Sequence, residues 1–290
     1  MNKTVLLIGA LAAIAHPAAA EDQQEGILGG NLSANVAITS DYTFRGITQS
    51  SGDAAIQGGI DWANDLFYLG AWGSTVDFND DLVDPFTGES ISDGASTEID
   101  LYVGFTPTIG ELPVSFGFIY YYYPGAPQDN DDIFIPQGTG PFLVDPAVVA
   151  PGLAPGDVFL DFPQQDYLEL NAGTSYTIGP IDLGLTFSWS PNYYFEAGDS
   201  LHSLLSASTT LSEFEAFGSD ASLSFSGSVG YLEFFDEAAA AGTGFFEDYV
   251  EYGVGLTLSV YGIDFDGRWI DTSGLAGNGS TGVFTISKSF

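Results

Sequence analysis

The chain has 290 residues, 39 of them acidic and four basic, and its formal net charge at pH 7 is −35. So few basic side chains exclude binding to nucleic acid through phosphate contacts, and the absence of cysteine excludes disulfides and thiolate metal sites. Such a charge is typical of disordered chains, but 45% hydrophobic and 14% aromatic residues predict a folded protein, and the many Gly, Tyr, Phe and Ser residues favour an all-β one.

The first 20 residues have the pattern of a secretory signal peptide. Lys3 supplies a positive start, residues 5–15 an apolar run, and Ala18-Ala19-Ala20 a small-residue cleavage site. The predicted mature chain, residues 21–290, keeps three basic residues against the same 39 acidic ones, a formal charge of −36. No later apolar run reaches the roughly 18 residues of a transmembrane helix, so any membrane crossing would be made by strands.

Residues 31–45 set a pattern that the rest of the chain repeats. Apolar side chains from Leu32 to Phe44 fall on one parity, and polar ones from Asn31 to Arg45 on the other. Strict alternation predicts a strand with one apolar and one polar face. The run exceeds the roughly 9–11 residues with which a tilted strand crosses a bilayer. We therefore predict a strand with lipid on one side and water on the other.

Eleven further stretches predict strands in the same way. In residues 66–78 the apolar parity is that of Tyr68, Trp72 and Val76, whereas residues 201–211 are the least regular, with apolar side chains on both parities. In chain order the stretches are residues 56–62, 66–78, 98–105, 114–122, 168–178, 181–189, 201–211, 221–231, 250–260, 263–269 and 284–290.

Connections between the predicted strands alternate in length. Short ones follow residues 62, 105, 178 and 260, and longer ones follow residues 78, 123, 189, 231 and 271; residues 212–220 break the rule, being long where a short turn is due. Twelve strands with such connections predict a transmembrane antiparallel up-and-down β-barrel with short periplasmic turns and long extracellular loops. We expect one domain, residues 21–290, in the outer membrane of a Gram-negative bacterium, with residues 124–165 as the longest extracellular loop. A secreted β-sandwich also alternates and stays an alternative.

Three blocks resemble a known family. SDYTFRGITQS (residues 40–50), QGGIDW (57–62) and FTISKSF (284–290) together resemble the TorF family of porin-like proteins, also catalogued as proteobacterial outer-membrane proteins of unknown function. YLGAWGSTVDF (68–78) adds to the resemblance, which implies an outer-membrane barrel that acts as a channel and supplies no catalytic residues. Residues 124–165 look peculiar to this member, so the resemblance implies nothing about that loop.

The end of the chain resembles the signal read by the barrel-assembly machinery. Phe290 is the last residue, and Phe284 and Ile286 precede it on the same parity. The resemblance implies that this machinery and periplasmic chaperones are partners during biogenesis. Lys288 departs from the pattern, but its stem can reach the headgroups near an interface.

If the apolar parities face lipid, the polar parities line the lumen. An acidic, partly enclosed passage concentrates cations and repels anions, which predicts a passive, cation-preferring channel for small hydrophilic solutes. Alternatively, the same groups form hydrogen-bonded ladders that plug a narrow barrel. The predicted pore-lining residues are Asp41, Arg45, Asp61, Glu98, Asp100, Glu169, Asp182, Glu251, Asp264, Asp266 and Arg268.

The two arginines of the mature chain, Arg45 and Arg268, should both lie toward the outer rim and pair with carboxylates. For Arg45 we expect Asp41, Glu98 or Asp100 opposite. The pairs would either line a constriction or stabilise the wall.

Other chemistry is not predicted. Asp129-Asn130-Asp131-Asp132 lacks the Gly and distal Glu of a calcium loop, and His202 has Ser200 and Ser203 beside it but no catalytic motif. We therefore expect neither an enzyme nor a metal or cofactor. The aromatic residues 120–123 and the four tryptophans favour girdles at the membrane interfaces over a carbohydrate path. The alternative function is a non-conducting barrel whose acidic loops serve as an adhesin or in a structural role.

Overall fold

Twelve long strands form the wall of the molecule. The computed structural model describes residues 29–78, 94–126, 133–135, 158–160, 165–236, 247–275 and 279–290. In this part of the chain the long strands are β1 (Asn31–Thr39), β2 (Ala55–Ala63), β3 (Phe67–Thr75), β4 (Thr97–Phe105), β5 (Leu112–Tyr122), β6 (Tyr167–Ile178), β7 (Ile181–Ser190), β8 (Ser200–Ala216), β9 (Ser219–Phe234), β10 (Tyr249–Val260), β11 (Ile263–Ser273) and β12 (Thr281–Ser289).

Every long strand pairs antiparallel with both of its neighbours, and the ring closes. β5 pairs with β6 across the longest connection, and β12 pairs with β1, with Asn35 opposite Ser289. The last residue completes this seam, because the Phe290 backbone N–H donates to the Ala34 carbonyl at 2.9 Å. The prediction of an all-β, closed antiparallel barrel of twelve strands is confirmed.

Short strands and one 3-10 turn lie in the connections between the long strands. A 3-10 turn covers Tyr194–Glu196. Among the described residues, no helix is long and apolar enough to cross a membrane. The short strands are Thr43–Phe44, Ile47–Thr48, Thr108–Ile109, Ile133–Ile135 and Val158–Leu160, of which the last two pair with each other. The predicted signal peptide and most of residues 124–165, including Asp129 to Asp132, lie outside the described residues.

The predicted alternation decides which side chains face outward. Along β1, Leu32, Val36 and Ile38 are 64%, 44% and 57% exposed, whereas Ser33 and Thr39 are buried inside. β4 repeats the arrangement, with Leu101 and Val103 outside and Glu98 and Asp100 inside. The barrel is therefore apolar outside and polar inside, the reverse of a water-soluble fold.

Two predictions about individual strands are wrong. β1 ends at Thr39, and the chain then turns into the barrel, so Tyr42 and Phe44 continue the alternation in sequence but not on the wall. In β3, Tyr68 and Trp72 face inward, and Val76 just after it is buried, because Phe67, Leu69 and Ala71 supply the outer face. Both errors have one cause: a barrel whose inside is partly aromatic has apolar residues on both parities.

The connections form one end with tight turns and one end with long loops. Residues 212–220, predicted to be a long turn, instead continue β8 and β9 to a two-residue turn at Phe217-Gly218. Both turn residues have positive φ, 55° and 80°, as a type I′ hairpin requires. The exception to the alternating connection lengths therefore disappears.

A row of tyrosine–aspartate pairs marks the long-loop edge of the apolar surface. Each tyrosine lies on an outward parity, and each aspartate also accepts a backbone N–H at that edge. The pairs are Tyr120 with Asp166 at 3.0 Å, Tyr231 with Asp248 at 3.0 Å and Tyr252 with Asp271 at 3.3 Å. An apolar ring with a polar tip is what an interfacial girdle uses.

Candidate functional site

A β-hairpin folded into the lumen, residues 43–48, is the centre of the site; we call it the inward hairpin. Thr43 pairs with Thr48 and Phe44 with Ile47, and Arg45-Gly46 form the two-residue turn, with φ of 49° and 79°. A Cβ on Gly46 would lie 2.5 Å from Thr272 Cγ2 and 3.3 Å from Glu251 Cβ. The tip therefore touches the inner faces of β10 and β11, where only glycine fits.

Arg45 reaches across the lumen from this tip. Its Nη2 donates to Glu169 Oε1 on β6 at 2.7 Å, and its guanidinium carbon lies 4.7 Å and 5.5 Å from the ring centroids of Phe44 and Tyr193. The Tyr249 hydroxyl on β10 donates to the Arg45 carbonyl at 2.9 Å. Arg45 and Glu169 are only 3% and 1% exposed, so this ion pair is sealed from water.

Tyr42, just before the inward hairpin, holds a second carboxylate. Its hydroxyl donates to Glu98 Oε1 at 2.6 Å, and its ring packs edge-on against Trp72 with centroids 5.6 Å apart. Burial, with Glu98 and then Asp100 adding to it, raises the pKa of Tyr42 well above its ordinary value. Tyr42 therefore stays protonated and remains a donor at neutral pH.

Asp41 fixes the base of the inward hairpin. Its Oδ1 accepts hydrogen bonds from Thr48 Oγ1 at 2.6 Å and from Ser50 Oγ at 3.0 Å. Ser50 Oγ in turn accepts the Tyr42 backbone N–H at 2.9 Å. Asp41 therefore bonds within its own loop. The prediction that it lies opposite Arg45 is wrong.

Aromatic side chains fill the space around Arg45. Tyr121 stacks on Tyr167 with centroids 4.3 Å apart, and Tyr193 packs edge-on against Tyr167 at 5.0 Å and against Phe234 at 5.7 Å. Burial raises the pKa of Tyr193 to about 12, although Arg45 opposes the shift. Hydrophobic and ionic groups together close the lumen at the long-loop end.

The predicted pore-lining residues divide between two levels of the barrel. Those at the long-loop end are buried in the closed part, and those toward the short-turn end lie on the inner wall beyond it. The first group is Asp41, Arg45, Glu98, Asp100, Glu169 and Glu251, and the second is Asp61, Asp182, Asp264, Asp266 and Arg268. The partner predicted for Arg45 was wrong, since Glu169 takes the place expected for Asp41, Glu98 or Asp100.

Carboxylates of the second group accept hydrogen bonds from hydroxyls on the neighbouring strand, except Asp61, whose partner Tyr102 lies two strands away. Asp264 accepts from Ser259 at 2.5 Å and Asp266 from Thr257 at 2.8 Å, both across β10 and β11. Asp182 accepts from Thr177 at 2.7 Å, and Asp61 accepts from the Tyr102 hydroxyl. These are the cross-strand ladders of the alternative reading, but they run along the wall and do not bridge the lumen.

Arg268 lies in the middle of β11, not toward the outer rim as predicted. Its Nε is 3.3 Å from Asp266 Oδ1, and its Nη2 donates to Ser226 Oγ at 3.3 Å. The side chains of Arg268 and Asp266 are 30% and 18% exposed, in contrast to the sealed pair at Arg45. Water therefore reaches the inner wall on this side of the closed part.

Two contributions to the site were missed. His202 Nε2 lies 2.8 Å from Glu251 Oε1 next to the hairpin tip, and Tyr121 and Tyr123 face inward although the sequence placed them in a girdle. Strict alternation along β5 would have found the tyrosines, since Tyr120 and Tyr122 occupy the outer parity. His202 was hidden because β8 carries leucines on both parities.

Three further predictions concern single residues. Trp72 is buried inside and cannot belong to the predicted girdle, whereas Trp189 and Trp269 are 37% and 43% exposed on the outer face. Phe284 and Ile286 face outward, and Phe290 is 71% exposed. Among the described residues, no group of three or more His, Asp or Glu side chains is arranged to hold a metal ion.

One family model matches part of the chain. Residues 23–138 match the family model Gcw_chp, described as a bacterial protein of unknown function. No curated protein matches the chain.

Solved structures that resemble the chain are distant. LpxR from Salmonella typhimurium has 10% identity and a TM-score of 0.40 over 89% of this chain and 99% of its own. OprB from Pseudomonas putida has 12% identity and a TM-score of 0.35, over 87% of this chain and 61% of its own. An anion-selective porin from Comamonas acidovorans has 12% identity and a TM-score of 0.31, over 90% of this chain and 99% of its own. Likenesses this distant carry no functional argument, and the barrel rests on its own strand pairing.

Proposed function

We propose that this chain is an outer-membrane channel of the TorF type, a passive, cation-preferring pore for small hydrophilic solutes that the inward hairpin closes in the present conformation. Lipid is the partner of its outer surface, and the terminal Phe290 is the proposed address for the barrel-assembly machinery. The observation that carries the proposal is the inner surface: acidic residues line it within the part closed by the inward hairpin and on toward the short-turn end.

The outer surface supports the membrane assignment. Large aliphatic side chains such as Ile38, Leu69 and Val103 are half exposed or more, which would be unfavourable in water over a whole barrel. Rings of Trp189, Trp269 and the tyrosine–aspartate pairs lie where headgroups would begin.

The inner surface supports cation preference. In the described part of the chain, the carboxylates of Glu98, Asp100 and Glu169 at the closed level outnumber the one arginine there, Arg45, which pairs with Glu169. Toward the short-turn end, Asp182, Asp264 and Asp266 outnumber Arg268. A negative lumen favours entry of cations and of neutral solutes over anions.

Current through the purified protein in planar bilayers under a KCl gradient tests this function. We expect small conductance steps and a reversal potential of the sign set by K⁺. Absence of current from heat-modifiable, folded protein would contradict the channel.

A second function, a non-conducting barrel that presents acidic loops, is favoured by one observation. Arg45, Glu98 and Glu169 are at most 3% exposed, so the lumen is filled at their level. Recordings of the purified protein and of a variant without the inward hairpin separate the two functions, because a permanently plugged barrel stays silent in both.

A further inference from the structure

One strand of the wall has an edge that the neighbouring strand does not cover. β8 pairs with β7 only as far as Thr209, which lies opposite Ile181 at the start of β7. β8 continues for seven more residues, paired on its other side with β9 as far as Ala216 except at Leu211, where the register shifts in a β-bulge. No described residue forms a strand pair with the β7 side of residues 210–216, which we call the open edge.

The open edge lies beyond the part of β8 that is needed to cross a bilayer. Residues 200–209, which pair with β7, already supply the roughly 9–11 residues of a tilted membrane strand. The remaining seven residues extend about 20 Å at the short-turn end. An uncovered edge of this length offers its backbone N–H and C=O groups to an incoming strand.

From Glu213 to Ala216, side chains on the open edge alternate between acidic and apolar. Glu213 and Glu215 lie on one face, and Phe214, 43% exposed, lies on the other, next to Phe217 at the turn, which is 90% exposed. Glu215 is directly opposite Asp220 on β9. Like charges in that position destabilise a strand pair, so an approaching cation would relieve a repulsion built into the hairpin.

We propose that the open edge binds an extended segment of another protein as an added strand, with lysine or arginine on one face of that segment and apolar residues on the other. Backbone hydrogen bonds would supply affinity, and the alternating side chains would supply register and specificity.

Two other occupants fit the charges poorly. A second copy pairing antiparallel about Glu213 would bring like carboxylates together. The segment that precedes β1, residues 21–28, reads EDQQEGIL and is itself acidic. A basic strand from a different chain is therefore the occupant that the edge favours.

The experiment uses the full chain in detergent micelles and a ten-residue peptide that alternates lysine and valine. Binding is followed by fluorescence anisotropy of the labelled peptide and by hydrogen exchange of the protein. We expect the peptide to slow exchange of amides within residues 210–216 and to leave the rest of the barrel unchanged. A copy of the peptide with N-methylated backbone nitrogens should not bind, because it cannot complete the strand pairing.

Charge variants test the register. Replacing both Glu213→Gln and Glu215→Gln should weaken binding about fivefold, the effect of losing two exposed ion pairs. The matched control, Asp65→Asn with Glu111→Gln, removes two exposed carboxylates at the same end but away from the edge, and should bind as the unchanged protein does. Equal binding of a glutamate–valine peptide, or binding without protection of residues 210–216, would overturn the proposal. Neither outcome depends on whether the barrel conducts.

Discussion

Arg45 and Glu169, 124 positions apart in the chain, meet at 2.7 Å inside the barrel. Arg45 belongs to a hairpin anchored between β1 and β2, and Glu169 to β6, five strands further round the ring. Their ion pair ties the tip of the inward hairpin to the far wall. The closure of the lumen therefore depends on a contact that is local in space and remote in sequence.

Removing one partner of this pair should be much more harmful than removing both. Arg45→Met leaves the Glu169 carboxylate buried without its cation, and we expect a loss of about 3–5 kcal/mol in unfolding free energy. Arg45→Met combined with Glu169→Leu should recover most of that loss. Urea unfolding in micelles measures both.

The control for the comparison of the single and double variants is Arg268→Met, which removes a half-buried arginine paired with Asp266. Because water screens that pair, its loss should be about 1 kcal/mol or less. Equal losses for Arg45→Met and Arg268→Met would contradict the assignment of Arg45 to a sealed site.

Gly46 should tolerate no side chain. Gly46→Ala meets both a positive φ and the side chains of Thr272 and Glu251, and we expect it to destabilise the barrel by about 3 kcal/mol. Gly52→Ala is the matched control: its φ is also positive, +81°, but nothing lies within 4 Å, so only the backbone strain of about 1 kcal/mol applies. Thermal unfolding of the two variants side by side measures the difference, which should vanish if the hairpin tip does not touch the wall.

Alkaline pH should loosen the closed part. The pKa of Tyr193 is raised to about 12, above the ordinary value near 10, so the folded state holds this proton more tightly than the unfolded state. The resulting stability, roughly 3 kcal/mol, is fully present below pH 10 and is lost as the pH rises toward 12. Tyr193→Phe should flatten the fall of the melting temperature over this interval, and an unchanged slope would argue against the buried position of the hydroxyl.

The wall of the barrel could be predicted from the sequence, and its closure could not. Alternation along β1 and β4 reports two environments, and it identified Leu32 as outside and Glu98 as inside because one face of each strand is uniformly apolar. The same periodicity continues through Tyr42 and Phe44, so it gives no sign that the chain leaves the wall after Thr39.

Long-range contacts explain the remaining errors. Trp72 was assigned outward because it shares a parity with the apolar Tyr68 and Val76, yet it packs against Tyr42, just before the inward hairpin. His202 and Glu251 lie on strands that are not sequence neighbours, and only the ring order of β8, β9 and β10 brings them together. The Arg45-Gly46 turn was a local signal that could have been used, since a glycine after a polar residue suits a two-residue hairpin.

The central claim is that an acidic lumen is closed by the inward hairpin. The most direct test is the planar-bilayer conductance of a variant in which residues 42–49 are replaced by a short Gly-Ser linker, compared with the unchanged protein and with the same replacement of residues 106–111 at the other end. The account predicts larger, steadier conductance with cation selectivity for the hairpin variant alone. A folded, heat-modifiable hairpin variant with unchanged conductance, or with anion selectivity, would contradict it.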